Sequence, residues 1–106
     1  MPNNSFTPEE QSVLQYHRNN IAGKTYMSDP DGNITTFRGA VVRLPQGETI
    51  IPTYWHGQVR DVPEAVRFAI QSGIKWPSYK TPEAALAREK ALHDVMEADI
   101  TAMRKK

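Results

Sequence analysis

Polar and aromatic residues recur along the middle of the chain in a combination that suits an anionic ligand. They are Thr36 and Arg38 on one predicted strand, Thr53 and Trp55 on the next, and Trp76 and Tyr79 in a later connector. An arginine guanidinium is a planar fork that binds phosphate or carboxylate, aromatic faces stack on bases, and threonine hydroxyls add hydrogen bonds. Together these residue types predict a binding site for a small, nucleotide-like anion.

A structural interpretation explains the same residues without a ligand. Threonine and aromatic residues are common in strands, and an arginine on a sheet is usually solvated or paired at the surface. Two tryptophans in a domain of this size are ordinary core residues. The residue types alone leave both interpretations open.

Metal chemistry has little support in the sequence. The chain contains no cysteine, which excludes a disulfide framework, a thiolate zinc site and a cysteine nucleophile. Asp29, Asp31 and Asn33 alternate like the start of a calcium loop. The glycine of that loop would stand two positions after Gly32, and its twelfth position is Ala40. A tight turn is the better interpretation.

Catalytic motifs are also lacking. His17, His56 and His93 fall on three different predicted elements, and no two have the i, i+4 spacing of a zinc-binding helix. There is no glycine-flanked serine and no glycine-rich phosphate loop. A histidine paired with a carboxylate would remain invisible without coordinates. The expectation is a non-enzymatic protein with no cofactor and no metal.

Length and net charge limit the classes of protein to which this chain can belong. The 106 residues fit a single domain over 1–106, for which we expect flexible ends at 1–6 and 104–106. Thirteen basic residues nearly balance twelve acidic ones, which argues against a nucleic-acid binder held by bulk electrostatics. No apolar run is long enough to span a bilayer, and the first residues do not resemble a signal peptide. The expected location is the cytoplasm.

The first predicted element that positions these residues is a helix. Thr7 is placed to cap it, Pro8 suits its first turn, and Glu10 occupies the capping-box position. Apolar residues and His17 then follow at helical spacing. Gly23 is predicted to end the helix in the left-handed conformation.

The next elements are predicted strands. The segments 24–28, 34–44 and 49–56 are rich in β-forming residues and are separated by turn sequences. Pro52 cannot donate a ladder hydrogen bond, so it marks an edge or a bulge. The expected sheet is a three-stranded antiparallel meander.

Two helices follow the strands. Asp61 and Glu64 form a second predicted capping box, Gly73 ends that helix, and Thr81 starts the last one. The residues expected to face inward from the first of these two helices are Val62, Val66, Ala69 and Ile70. The predicted fold class is α+β, with an N-terminal helix, the meander and two C-terminal helices packed on the sheet.

Residues 32–93 contain several short motifs whose order and spacing are shared with a known protein domain. They are Thr35–Arg38, Ile51–Thr53 followed by Gly57, Pro63–Ala65, Ser72–Gly73, Tyr79–Ala85 and Leu92–His93. In this order and spacing they resemble a small domain of tailed-bacteriophage proteins. That domain occurs in internal virion and transglycosylase-like polypeptides and as stand-alone phage proteins. Lys75 and Pro77 depart from its pattern, which has a histidine and a glycine there.

The resemblance implies a phage origin and adds one residue to the candidate site. Within the matched motifs it draws attention to Thr36, Arg38, Thr53 and His93. Of these, Arg38 on a central strand, Thr53 beside it and His93 on the helix that covers the sheet are expected to converge on one pocket. The resemblance implies no established activity.

These observations predict a phage-encoded binding protein that sequesters a small anionic, nucleotide-like ligand, such as a host immune signal. The alternatives are a virion-associated interaction module and an inhibitor that docks on a host protein. A small sheet with few helices leaves an edge or a face open, so we expect a homo-oligomer, which would also deepen a shallow site. No membrane partner is expected.

Overall fold

The chain folds into an α+β structure with three helices and several short antiparallel strands. A computed structural model describes residues 6–28, 30–31, 34–55 and 58–104. The helices are α1 (Pro8–Ala22), α2 (Val62–Gln71) and α3 (Pro82–Arg104). The strands are β1 (Met27–Ser28), β2 (Ile34–Thr35), β3 (Gly39–Leu44), β4 (Gly47–Pro52), β5 (Tyr54–Trp55), β6 (Gln58–Val59) and β7 (Ser78–Tyr79).

The strands form three small sheets, and the predicted single meander is wrong. The segment expected as one strand over 34–44 divides into β2, which pairs with β1, and β3, which pairs with β4. The third strand beside β4 is β7, from the connector that follows α2. Strands β5 and β6 pair separately. Residues 36–38, which separate β2 from β3, belong to neither strand.

Helix starts follow the sequence closely. Thr7 Oγ1 accepts a hydrogen bond from the Glu10 N–H at 3.1 Å, and Glu10 Oε1 accepts one from the Thr7 N–H at 2.9 Å. The predicted capping box at α1 is therefore confirmed. Asp61 caps α2 by accepting from the Glu64 N–H at 3.0 Å, and Thr81 accepts from the Ala84 N–H at 3.1 Å.

Helix ends differ from the prediction at α1. Gly23 has φ −86°, which is right-handed, and the left-handed residue is Lys24 at φ 57°. The prediction that Gly23 supplies the left-handed stop is wrong. At α2 the left-handed residue is Gly73, at φ 71°, as predicted.

The core lies between β4 and the helices. Both α2 and α3 pack on β4, and α1 packs on α3. The fully buried side chains include Val13, Ile50, Ile51 and Leu92. Pro52 is the last residue of β4, so it ends the ladder instead of interrupting it.

The predicted inward stripe of α2 is wrong in part. Ala65 and Ala69 are the residues that α2 buries completely, whereas Val62 and Ile70 are 45% and 65% exposed. The two alanines face the core together with the half-buried Val66 and Phe68, and this leaves Val62 and Ile70 on the solvent side of the helix.

Some sequence predictions fall outside the described residues. They concern Asp29, Gly32 and Asn33 of the predicted turn, His56 and Gly57 after β5, and the chain ends 1–5 and 105–106. Among the described helices, none is long and apolar enough to cross a membrane.

Candidate functional site

Thr36 and His93, two of the residues predicted to bind a ligand, meet at one cavity. The cavity has a volume of about 180 Å³ and lies between the segment 34–37 and α3. Its lining consists of Ile34, Thr35, Thr36, Phe37, His93, Met96, Glu97 and Ile100. The wall is thus half apolar, with hydroxyl, imidazole and carboxylate groups in the other half.

Local sequence explains why these walls face each other. His93, Met96, Glu97 and Ile100 recur at i, i+3, i+4 and i+7, which places them on one face of α3. On the opposite wall, Phe37 is buried and its ring lies edge-on to His93, with 6.2 Å between the ring centroids.

Gly39 leaves room for the Phe37 ring in the second wall of the cavity. A Cβ at this position would lie 2.5 Å from Phe37 Cε1 and 2.8 Å from Glu89 Oε2, which is closer than side chains tolerate. The absence of a side chain therefore lets Phe37 pack under the start of β3.

A buried chain of hydrogen bonds supports the cavity wall from behind. The Thr36 hydroxyl contacts His17 Nδ1, and His17 Nε2 lies 3.0 Å from Asp99 Oδ2. The Asp99 carboxylate can only accept, so the proton of a neutral His17 sits on Nε2 and the Thr36 hydroxyl donates to Nδ1. Burial lowers the pKa of His17, although Asp99 opposes the shift, and the neutral form is favoured.

The order hydroxyl, imidazole and carboxylate is also that of acyl-transfer triads. Thr36, however, is only 2% exposed. Its hydroxyl is held as part of the wall and is not presented to solvent as a nucleophile. In this conformation the chain of bonds fixes the position of Thr36.

Thr53 fixes the backbone of Arg38. Its N–H and its hydroxyl both donate to the Arg38 carbonyl, at 2.5 and 2.8 Å. Thr53 itself is buried, while the Arg38 side chain is exposed and makes no hydrogen bond or ion pair with another described residue. Arg38 directly follows Phe37 of the cavity lining in the chain, although its own side chain is not part of the lining.

The two tryptophans lie in the core, away from this cavity. Trp55 and Trp76 are buried and perpendicular to each other, with ring centroids 6.2 Å apart, and Tyr16 packs against both. The indole N–H of Trp55 donates to the Pro52 carbonyl at 2.6 Å. That of Trp76 donates to the Ala69 carbonyl at 3.2 Å. Both indole N–H groups are therefore bound within the protein.

Tyr79 takes part in a different polar cluster. Its hydroxyl donates to Glu10 Oε2 at 2.5 Å, and Arg88 donates to both oxygens of the same carboxylate. Burial raises the pKa of Glu10, but the bonds from Arg88, Tyr79 and the Thr7 N–H outweigh it and lower the value to about 2. Burial, together with Glu10, raises the pKa of Tyr79. This cluster ties α1, β7 and α3 together.

The sequence prediction therefore divides into groups. Thr36 and His93 line the cavity. Arg38 follows Phe37 of the lining in the chain and Thr53 bonds to the Arg38 carbonyl, but neither residue is part of the lining, so the cavity does not bring Arg38 and Thr53 together with His93. Trp55, Trp76 and Tyr79 are not brought to it, and a ligand role for them stays a prediction.

Sequence reasoning missed His17, Glu97 and Asp99. The available signal was His17 itself, a polar residue at a buried position of α1 next to Val13 and Leu14. A buried imidazole requires partners. Those partners come from positions 36 and 99, and no local pattern links these positions.

In the described part of the chain, no three His, Asp or Glu side chains are grouped as metal ligands. Comparison with known protein families, with characterised proteins and with solved structures gives no match to this chain. The site must therefore be interpreted from its own chemistry.

Proposed function

We propose that this protein is a non-enzymatic binding protein of phage origin that holds a small anionic, nucleotide-like ligand. The observation that carries the proposal is the cavity between segment 34–37 and α3. Arg38, which forms no hydrogen bond or ion pair through its side chain with another described residue, directly follows this segment in the chain. A flat, partly polar ring suits the cavity, and an anionic group suits Arg38.

The lining favours a heterocyclic ring. Ile34, Phe37 and Met96 offer apolar contact to its faces, while the Glu97 carboxylate accepts hydrogen bonds from a ring N–H or an amino group. His93 and the Thr35 hydroxyl can both donate and accept. A nucleobase presents donors and acceptors of this kind at its edge.

The size and charge of the cavity orient the ligand. About 180 Å³ is below the roughly 300–1,000 Å³ of typical small-molecule pockets, so only the ring of a nucleotide enters. Glu97 disfavours a phosphate inside the cavity. In this proposal the phosphate stays outside the cavity, and Arg38, the exposed residue that follows Phe37 in the chain, is its planar, charged donor.

A homo-oligomer is part of the same proposal. Among the described strands, β3 pairs on one side only, with β4, so the backbone of Gly39–Leu44 has an outer edge available for a second copy. A neighbouring protomer at this edge would lie close to Arg38 and enlarge a site that is small in one chain. Ligand binding without catalysis, in a protein with the phage origin that the resemblance implies, is the basis on which we propose that it sequesters a host immune signal.

The competing functions are a virion-associated interaction module and an inhibitor that docks on a host protein. The observation that favours them is the exposed apolar side of α2, which has no place in ligand binding. Detection of the protein in purified particles would support the first, and co-purification of one host protein would support the second.

The test of the proposal is to express the protein in bacteria that produce nucleotide signals, purify it, denature it with heat and identify released compounds by mass spectrometry. The wild type should release a nucleotide-like compound, and Arg38→Ala and His93→Ala should retain about tenfold less of it. Lys80→Ala is the matched control, because Lys80 is exposed and does not line the cavity. Clean wild-type protein that also shows no thermal shift with a panel of nucleotides would overturn the proposal.

A further inference from the structure

Helix α2 presents large apolar side chains to solvent. Val62, Val66 and Ile70 recur at i, i+4 and i+8 and thus form one stripe, which Ile74 extends beyond the helix end. Val62 is 45% exposed, Ile70 65% and Ile74 40%, whereas Val66 is half-buried and also packs against the core. We call these four residues the α2 surface. A contiguous apolar patch on a small protein marks an interaction site more often than an isolated exposed residue does.

Cavities adjoin the α2 surface on both sides of Ile74. One, of about 380 Å³, is lined by Leu44, Gln46, Ala69, Ile70, Gly73, Ile74, Lys75 and Trp76. Another, of about 170 Å³, is lined by Ile74 and by Ser12, Gln15, Tyr16 and Asn19 of α1. Ile74 thus stands between two depressions that can receive side chains from a partner.

Two cations and one anion adjoin the α2 surface in the chain, and the anion, Asp61, caps the start of α2. Arg67 lies on α2 one residue beyond Val66, and Lys75 follows Ile74 and lines the larger cavity. Both side chains are exposed, and neither forms an ion pair with another described residue. Arg60, by contrast, pairs with Glu64 one turn away at 3.8 Å.

We propose that the α2 surface binds an acidic amphipathic helix of a partner protein. The stripe from Val62 to Ile70 spans about 12 Å, so two turns of a partner helix would cover it with apolar residues at i, i+3, i+4 and i+7. Acidic residues flanking that apolar face would meet Arg67 and Lys75. A second copy of this chain is disfavoured, because a two-fold contact would bring the same cations of both copies together.

This inference is independent of the proposed ligand site. The lining of the ligand cavity shares no residue with the α2 surface or with its two cavities. Loss of ligand release would leave peptide binding unchanged, and the reverse also holds.

The experiment uses the full chain and two designed helical peptides of about 14 residues, identical in their leucine positions. One carries Glu at every exposed position, and the other carries Lys. Fluorescence anisotropy should show that the Glu peptide binds about tenfold or more tightly than the Lys peptide. Amide shift perturbations in NMR spectra should centre on Ile70, Ile74 and Lys75.

Two variants and one control complete the test. Ile70→Glu should abolish binding of the Glu peptide, and the double variant Arg67→Glu, Lys75→Glu should prefer the Lys peptide. Leu86→Glu is the control, because Leu86 is 55% exposed on α3, outside the α2 surface; its affinity should match the wild type. Because the charge reversal changes exposed residues only, a folding defect cannot imitate the change of preference.

The proposal is overturned if both peptides bind equally or if neither binds at millimolar concentration. It is also overturned if ultracentrifugation shows a dimer that Ile70→Glu dissociates, since the occupant would then be a second copy.

Discussion

Glu10 and Arg88 form a two-point ion pair, although 78 positions separate them in the chain. Arg88 Nε lies 2.8 Å from Oε2 of Glu10, and Nη2 lies 2.9 Å from Oε1. The carboxylate is buried, while the arginine side chain is 34% exposed and lies over the ring of Phe6. Glu10 thus serves both as the capping-box residue of α1 and as the anchor for α3.

Removing the positive charge of Arg88 should destabilise the fold. Arg88→Met leaves the Glu10 carboxylate buried without its charge partner, so we expect a loss of about 3–5 kcal/mol in the free energy of unfolding. Arg88→Lys keeps the charge but not the planar fork, and should lose less. Lys90→Met is the control, since its pair with Asp94 is exposed and should contribute under about 0.5 kcal/mol. If urea denaturation shows equal losses of stability in Arg88→Met and Lys90→Met, the stabilising role of the Glu10–Arg88 pair is contradicted.

Acid should destabilise the fold because the Glu10 carboxylate becomes protonated. The folded pKa of about 2 lies below the ordinary value of 4.5, so the carboxylate stabilises the fold above pH 4.5. That contribution, about 3 kcal/mol, is lost as the pH falls from about 4.5 to 2. Urea midpoints between pH 2 and 5 should show the decline. In Arg88→Met the decline should be much shallower, because that variant no longer lowers the pKa of Glu10.

His17 should produce a separate effect at higher pH. Its folded pKa is lowered, so the unfolded chain takes up a proton first as the pH falls below 6.5. The contribution of neutral His17 to the free energy of unfolding should therefore be fully present above pH 6.5 and should decline below it. Thermal denaturation from pH 7.5 to 5.5 measures the slope, and His17→Asn should be less stable at neutral pH with a flatter profile. If thermal stability instead rises as the pH falls to 5.5, the folded protein favours the charged imidazole.

Gly47 should tolerate no side chain. It has φ 133°, and a Cβ there would lie 2.6 Å from the Tyr79 carbonyl oxygen on the neighbouring strand. Gly47→Ala should therefore disrupt the pairing of β4 with β7 and cost about 2–4 kcal/mol. Gly73 is the matched control, because its φ is also positive but a Cβ would meet nothing within 4 Å. Gly73→Ala should cost only about 1 kcal/mol, and comparable losses at both positions would argue against the contact.

A substitution at Trp76 tests whether this residue is part of the core or a platform on which a ligand stacks. Trp76→Phe removes the N–H that bonds to the Ala69 carbonyl and leaves that buried oxygen with one partner fewer. We expect a loss of about 1–3 kcal/mol in stability and an unchanged amount of ligand released on heating. Loss of the ligand from a variant that remains folded, as judged by circular dichroism, would restore the sequence prediction for Trp76.

The sequence by itself determined the fold class and the starts of the helices. These features depend on neighbours within about four positions: Thr7 with Glu10, Asp61 with Glu64, Thr81 with Ala84. It also identified Thr36 and His93, which the fold brings to one cavity.

Tertiary structure alone decided which strands pair, which face of α2 is buried and what surrounds the candidate site. Strand β7 joins β4 from beyond a helix, and Ile70 lies on the solvent side of α2 although its helical spacing favours the interior. His17 obtains its partners from positions 36 and 99, and Glu10 obtains Arg88 from position 88. Hydrogen bonds and packing act over a few ångströms in space, so contacts between distant positions leave no periodic signal in the chain.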